Sequence, residues 1–113
     1  MDPTDAEVAC FETGVKFGSL YHQFAGTPVS ADSAKSLADA IEASIENQPH
    51  CQDVSVTVDE RAIQEAAGDV GYTEFTGSLF EAEVVVEYAG VRVVSQMAME
   101  DGYPLMQVVD VQK

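Results

Sequence analysis

Long apolar runs and cysteines are scarce in this sequence, and their scarcity limits what the protein can be. No stretch reaches the roughly 18 apolar residues that a membrane-spanning helix requires. The first residues, MDPTDAEVACFE, have no basic segment before an apolar one, which argues against a secretion signal. Cys10 and Cys51 are too few for a disulfide framework, and we expect two buried free thiols. We therefore expect a cytoplasmic protein that does not bind membranes.

Basic residues are scarce as well. Five lysines and arginines stand against 20 aspartates and glutamates, which gives a net charge of −15. Nucleic-acid binding depends on basic side chains that neutralise phosphates, so this composition argues against it. Self-repulsion at this charge destabilises a compact state unless salt screens it, which suggests a salt-rich cytoplasm. An ordinary acidic protein is the simpler alternative.

Most catalytic and metal-binding signatures are absent. The sequence has no GxGxxG, phosphate-binding loop, CxxC, HExxH or Gly-x-Ser-x-Gly. A zinc site would have to collect Cys10, Cys51, His22 and His50 from separated positions. The adjacent side chains of His50 and Cys51 would also point apart on an extended segment. We expect neither a metal nor a cofactor.

The first half of the chain has helical signals. Residues 2–5 (DPTD) predict the start of a helix that runs to about Phe24, before the helix-stopping GTP at 26–28. Ser30 is a suitable N-cap for a second, amphipathic helix that continues to about Asn47.

The second half alternates like β-strands. DVSVTVD at 53–59 predicts a half-buried strand, and a short helix is expected within 60–70. Three further strands are predicted at 74–88, 91–99 and 105–112, joined by tight turns. Together the elements predict one α+β domain over residues 1–113, in which two main helices pack on one face of an antiparallel four-stranded sheet.

Four polar residues in apolar surroundings are candidates for chemistry: Glu12, His22, Gln48 and Tyr103. Each also has an ordinary explanation. Glu12 could form an ion pair with Lys16 on a solvated face, and His22 could be a hydrogen-bonded core histidine. Gln48 could simply end a helix, and Tyr103 could belong to a turn. Glu12 and His22 lie about 15 Å apart along an ideal helix, so they cannot form a catalytic dyad within it. Either they bind opposite ends of a ligand, or a subunit interface brings two copies together.

Two glycines interrupt the first predicted helix. Gly14 and Gly18 share one helix face, and each should cost about 1 kcal/mol relative to alanine. Such a stripe of small residues lets another group approach the backbone closely. Simple packing of the helix on the sheet, clearance for a flat ligand and a contact between subunits are the three explanations.

Four blocks of the sequence are distinctive together: FETGVKFGSLYHQFAGTPVS at 11–30, ENQP at 46–49, the region of Gly77 and DGYPLM at 101–106. In the same order and over almost the whole chain, they resemble the archaeal dihydroneopterin aldolase family of methanopterin biosynthesis. The first block is specific, because it combines a glutamate, two glycines, Tyr-His-Gln-Phe and Gly-Thr-Pro. Thr13 and Phe17 depart from the family's pattern, which affects packing more than chemistry.

The resemblance implies a metal-independent aldehyde lyase that splits 7,8-dihydroneopterin into 6-hydroxymethyl-7,8-dihydropterin and glycolaldehyde. It also implies a homo-oligomer, and specifically a tetramer. Glu12 and Gln48 would hold the pterin ring, while His22 and Tyr103 would exchange protons or hold the side-chain hydroxyls. Two other hypotheses are a non-catalytic oligomeric protein that binds a pterin or purine, and an acidic structural protein without a small-molecule site.

Overall fold

The structure, a computed structural model, describes residues 1–113. Four strands form an antiparallel sheet in the order β2-β4-β5-β6, and β1 pairs with β3 in a separate two-stranded sheet. This confirms the predicted α+β fold. The elements in chain order are α1 (Asp5–Phe24), β1 (Pro28–Val29), α2 (Ala34–Glu46), β2 (Cys51–Val58), α3 (Glu60–Ala67), a 3₁₀ turn (Gly68–Val70), β3 (Thr73–Glu74), β4 (Phe80–Tyr88), β5 (Val91–Glu100) and β6 (Tyr103–Gln112).

Helix α1 begins and ends where the sequence predicts. The hydroxyl of Thr4 accepts a hydrogen bond from the Glu7 amide, and the Glu7 carboxylate accepts one from the Thr4 amide, which forms a capping box. At the other end, the Ala25 amide donates to the carbonyl of Tyr21 and closes the last turn. The result is an uninterrupted helix of 20 residues.

The core lies between the two longer helices and one face of the main sheet. Leu20 of α1 and Ile41 and Ile45 of α2 are completely buried there. They pack with alternate residues of the sheet, among them Val54, Val84, Val86 and Met97. Alternate strand residues share one face, so both helices cover the same side of the sheet, as predicted.

The second helix starts later than the sequence suggests. Ser30 does not cap it; the Ser30 and Ser33 side chains and amides hydrogen-bond to each other in a turn before Ala34. Short hydroxyl side chains form such local turns readily, and here the turn delays the helix. The prediction of an N-cap at Ser30 is therefore wrong.

The predicted strand at 74–88 is two strands. Strand β3 pairs with β1 outside the main sheet, and Phe75 bonds through its backbone to Gly26 and Thr27 before the chain enters β4. The connection passes close to β6 and α1 at Gly77, where an ideal Cβ would lie 2.6 Å from Cβ of Pro104 and 3.2 Å from Cε2 of Tyr21. The alternating pattern cannot reveal this tertiary contact.

Two tight hairpins join the last three strands. Ala89 and Gly90 both have positive φ angles, of 49° and 82°, as a type I′ turn requires. Asp101 and Gly102 repeat this pattern, with φ angles of 51° and 80°. The second hairpin places Tyr103 at the start of β6.

The two edges of the main sheet differ. On β2, the amides of Val54 and Val56 donate to the carboxylates of Glu46 (3.3 Å) and Glu42 (2.8 Å), so α2 covers this edge. Strand β6 has no such cover, and five of its large apolar side chains are exposed: Tyr103, Met106, Val108, Val109 and Val111. None of the three helices combines the length and the apolar character that crossing a membrane demands.

Candidate functional site

The predicted ion pair between Glu12 and Lys16 exists, and its setting is unusual. Lys16 Nζ lies 2.7 Å from Glu12 Oε2, yet the Lys16 side chain is only 2% exposed and that of Glu12 only 28%. The hydrogen bond from Lys16, assisted by the positive charges of Lys16 and His50, lowers the pKa of Glu12 against the opposing effect of desolvation. Glu12 is therefore an ionised carboxylate in which Oε1 has no partner and Oε2 keeps a lone pair beside its bond to Lys16, so both oxygens can accept further donors.

The turn after α2 lies beside this pair. His50 adopts a positive φ of 68°, and its ring meets Tyr88 edge-on with centroids 5.1 Å apart. Cys51, the first residue of β2, is half-buried, and its burial raises the pKa of the thiol while the charge of Lys16 acts in the opposite direction. Both predicted free thiols are free, although Cys10 and Cys51 are half-buried rather than fully buried.

Gln48 approaches the same side of α1 as Glu12. Its Nε2 donates to Ser19 Oγ at 2.8 Å, across 29 residues of sequence. Ser19 lies two helical turns after Glu12, so the two are on one face of α1, about 10 Å apart along the axis. The bond to Ser19 uses the amide nitrogen and leaves the amide oxygen of Gln48 for other donors. Glu12 and Gln48 thus lie at the two ends of one polar surface along α1, which we call the polar strip.

His22 and Tyr103 lie elsewhere in the chain. His22 is exposed in the last turn of α1, and Tyr103 is 66% exposed at the start of β6. Tyr103 lines an open cavity of about 400 Å³ together with Tyr21, Pro104, Leu105 and Met106. Since α1 is one continuous helix, the separation of about 15 Å between Glu12 and His22 holds. A single chain does not bring the four candidate residues together.

The cavities of the single chain support this separation. Five were found, and none is lined by Glu12, His22 or Gln48. The largest, of about 650 Å³, opens near the end of β2 and the start of α3, away from every predicted residue. The polar strip is therefore a surface of the isolated chain rather than an enclosed pocket.

One face of α1 is exposed and consists mainly of apolar residues and glycines. We call it the outer stripe: Phe11, Gly14, Val15, Gly18 and His22, all exposed. A Cβ at Gly14 or Gly18 would meet nothing within 4 Å. Packing of the helix on its own sheet therefore does not account for these glycines, which corrects one of the three explanations.

Sequence reasoning missed how the site is supported. Lys16 was placed on a solvated face, but the structure buries it. Neither the bond from Gln48 to Ser19 nor the closeness of His50 and Cys51 to Lys16 has a local signal. These contacts join α1 to the turn after α2, and only the tertiary fold brings the two segments together.

Comparisons with known proteins agree with the motifs. The family model described as dihydroneopterin aldolase matches residues 4–109. A dihydroneopterin aldolase of Picrophilus torridus is 30% identical over 110 residues, which are 96% of this chain and 90% of that protein. A dihydroneopterin aldolase of Methanopyrus kandleri is 35% identical over 112 residues, which are 97% of this chain and 92% of that protein.

The fold agrees as well. The crystal structure of a Picrophilus torridus protein matches this one with a TM-score of 0.82 and 27% sequence identity, over 96% of this chain and 90% of that chain. The resemblance inferred from the sequence blocks is confirmed over nearly the full length. The chain belongs to the dihydroneopterin aldolase family.

Proposed function

We propose that the protein performs the aldolase reaction of its family on 7,8-dihydroneopterin bound beside Glu12. The bond that breaks joins C1′ and C2′ of the side chain on ring carbon C6. The 2′-hydroxyl loses its proton, C2′ becomes the aldehyde carbon of glycolaldehyde, and the electron pair moves through C1′ into the C6=N5 imine. Protonation of C1′ then gives 6-hydroxymethyl-7,8-dihydropterin.

The substrate carries its own electron sink. Because the C6=N5 imine accepts the electron pair, the reaction requires neither a Schiff-base lysine nor a metal Lewis acid. The protein has to anchor the ring, remove the hydroxyl proton and return a proton to carbon. Four polar side chains suffice for these tasks, which fits the sparse set of candidate residues.

The observation that carries the proposal is the carboxylate of Glu12, held ionised by a buried lysine. The pterin amino group and its neighbouring ring N–H are two parallel donors, and a carboxylate accepts such a pair with two charge-assisted hydrogen bonds. Gln48 borders the same strip and offers an amide oxygen. We assign ring binding to these two residues.

We assign proton transfer to His22 and Tyr103. The unperturbed pKa of histidine allows proton exchange near neutral pH, and a phenol can relay a proton or hold the side-chain hydroxyls. Both residues are too exposed to work in a closed site within one chain. The proposal therefore includes a homo-oligomer, a tetramer, in which residues from different copies complete each site.

Exposed apolar surface supports this assembly. Phe11 is 73% exposed on the outer stripe, and β6 exposes apolar side chains along its length. Gly14 and Gly18 leave room beside Phe11 for a neighbouring chain. We also propose that the protein works in the cytoplasm, and its surplus of acidic residues argues against binding to nucleic acid.

The test is to incubate purified protein with 7,8-dihydroneopterin and follow the release of glycolaldehyde. His22→Ala should lower kcat by about 100-fold or more, because general acid–base catalysis contributes at least that factor. Gln23→Ala, its exposed neighbour on α1, is the matched control and should leave kcat unchanged. Ring binding without cleavage would favour the non-catalytic pterin-binding protein. Full activity of a folded His22→Ala variant would remove the acid–base role.

A further inference from the structure

We infer that Lys16 is a positioning residue for the pterin ring: its buried ammonium fixes the orientation in which Glu12 presents a free carboxylate oxygen. The inference rests on the proposed function, since it takes Glu12 as the anchor of the ring. Lys16 itself need not touch the substrate. It acts through Glu12 Oε2, which lies 2.7 Å from Lys16 Nζ.

The burial of Lys16 is hard to explain by stability alone. Its side chain ranks among the largest fully buried side chains of the protein, and Glu12 is its one ionic partner. Removing an ammonium from water is costly, and replacing a whole buried ion pair by apolar side chains of similar volume is often neutral or stabilising. A buried lysine in a chain with only five basic residues is better explained by what it holds in place.

Two other pairs with the same spacing show the contrast. Lys35 and Asp39 lie 3.2 Å apart, with side chains 81% and 59% exposed, and the pair of Arg61 and Glu65 is exposed as well. Long side chains in water sample many rotamers, and such pairs restrain each other little. The packing around Lys16 removes that freedom, so of the three ion pairs only this one holds its carboxylate through a buried partner.

The groups around the pair set the direction of the pH effect. Lys16 and His50 lower the pKa of Glu12, and desolvation acts against them. On the side of β2 and α2, Cys51 lies near Lys16, and Glu46 and Asp53 are the charged neighbours of Cys51. Without the lysine, desolvation raises the pKa of Glu12, so the carboxylate becomes protonated at a higher pH. A protonated carboxyl accepts the two ring N–H groups poorly. The pH below which pterin binding is lost, which we call the acid limit, should therefore be higher in the variant than in the wild type.

The experiment measures the dissociation constant of 6-hydroxymethyl-7,8-dihydropterin by fluorescence at several pH values, for Lys16→Met, Lys16→Arg and the wild type. Lys16→Met should weaken binding about 10-fold at neutral pH, the value of one charge-assisted hydrogen bond. Its acid limit of binding should also move to higher pH, and KM should rise more than kcat falls. Lys16→Arg, which keeps the charge, should restore the acid limit. Lys35→Met is the matched control and should change nothing.

A folded Lys16→Met variant that keeps the wild-type dissociation constant and acid limit would overturn the inference. If Lys16→Met does not fold, Lys16→Gln tests the same point, because it keeps a hydrogen-bond donor without the charge. Failure of the inference and failure of the proposed function would give different experimental results. Wild-type protein that binds without cleaving removes the aldolase proposal, whereas normal pterin binding by the lysine variants removes only the role of Lys16.

Discussion

The two sides of helix α1 each depart from the usual arrangement of a surface helix. Such a helix turns apolar residues to the core and charged ones to water. Here Lys16 is buried beside Glu12, while Phe11, one position before that glutamate, is 73% exposed. Local departures from the rules of stability are expected where a protein binds something. In the proposal made above, the polar side of α1 binds the pterin and the outer stripe contacts another chain.

The largest effect is expected on the polar side. Glu12→Gln keeps the size of the side chain but removes its charge, and it leaves the buried Lys16 without a counter-charge. The amide cannot accept both ring N–H groups, and losing charge-assisted hydrogen bonds worth about 1.5–3 kcal/mol each should lower the pterin affinity by about 100-fold. Calorimetry or fluorescence measures the dissociation constant. Glu65→Gln breaks an exposed pair of the same spacing and is the control. Equal pterin affinities in both variants would show that the buried pair has no special role in binding.

The next effect belongs to the outer stripe. Phe11→Glu places a charge on the proposed contact, and with a net charge of −15 on each copy the subunits should dissociate. Sedimentation or light scattering reports the mass. Val70→Glu adds the same charge at an apolar residue that is equally exposed but lies outside the stripe, so its mass should equal that of the wild type. An unchanged mass for Phe11→Glu would show that the stripe is not an interface.

The smallest effects are expected on the stability of variants at two glycines, and they should have opposite signs. Gly77→Ala should lower the free energy of unfolding by about 1–3 kcal/mol, because its Cβ would overlap Pro104. Gly14→Ala meets nothing within 4 Å and should raise the stability of α1 by about 1 kcal/mol when measured in the Phe11→Glu background. Denaturant unfolding of both variants gives the comparison. A loss of stability at Gly14 in that background would mean that the glycine serves the fold of the single chain.

Local signals predict much of this fold. The capping sequence fixes the start of α1, and the alternation in DVSVTVD places β2, because both features depend on neighbours in the chain. The break at 75–79 escapes prediction, since β3 pairs with the distant β1 and the close contact of Gly77 with Pro104 is tertiary. The same limit applies to the late start of α2, where Ser30 and Ser33 bond to each other.

The candidate site, too, has a part that the sequence predicts and a part that depends on the tertiary fold. Family blocks supply the positions of Glu12, His22, Gln48 and Tyr103, and helix geometry alone excludes a direct Glu12–His22 dyad. Glu12 and Lys16 are four residues apart, as Lys35 and Asp39 are in the opposite order, and this spacing does not predict which pair is buried. Burial is a property of the assembled fold.

The covered edge of the main sheet has a consequence for how copies can join. The carboxylates of Glu42 and Glu46 occupy the outward amides of Val54 and Val56, so β2 cannot accept a strand there. Of the two edges of the main sheet, only β6 has no such carboxylates against it. Strand addition between two β6 strands related by a two-fold axis would close after two copies. Head-to-tail addition, which forms rings or filaments, would need the two outward amides of β2 that the carboxylates occupy.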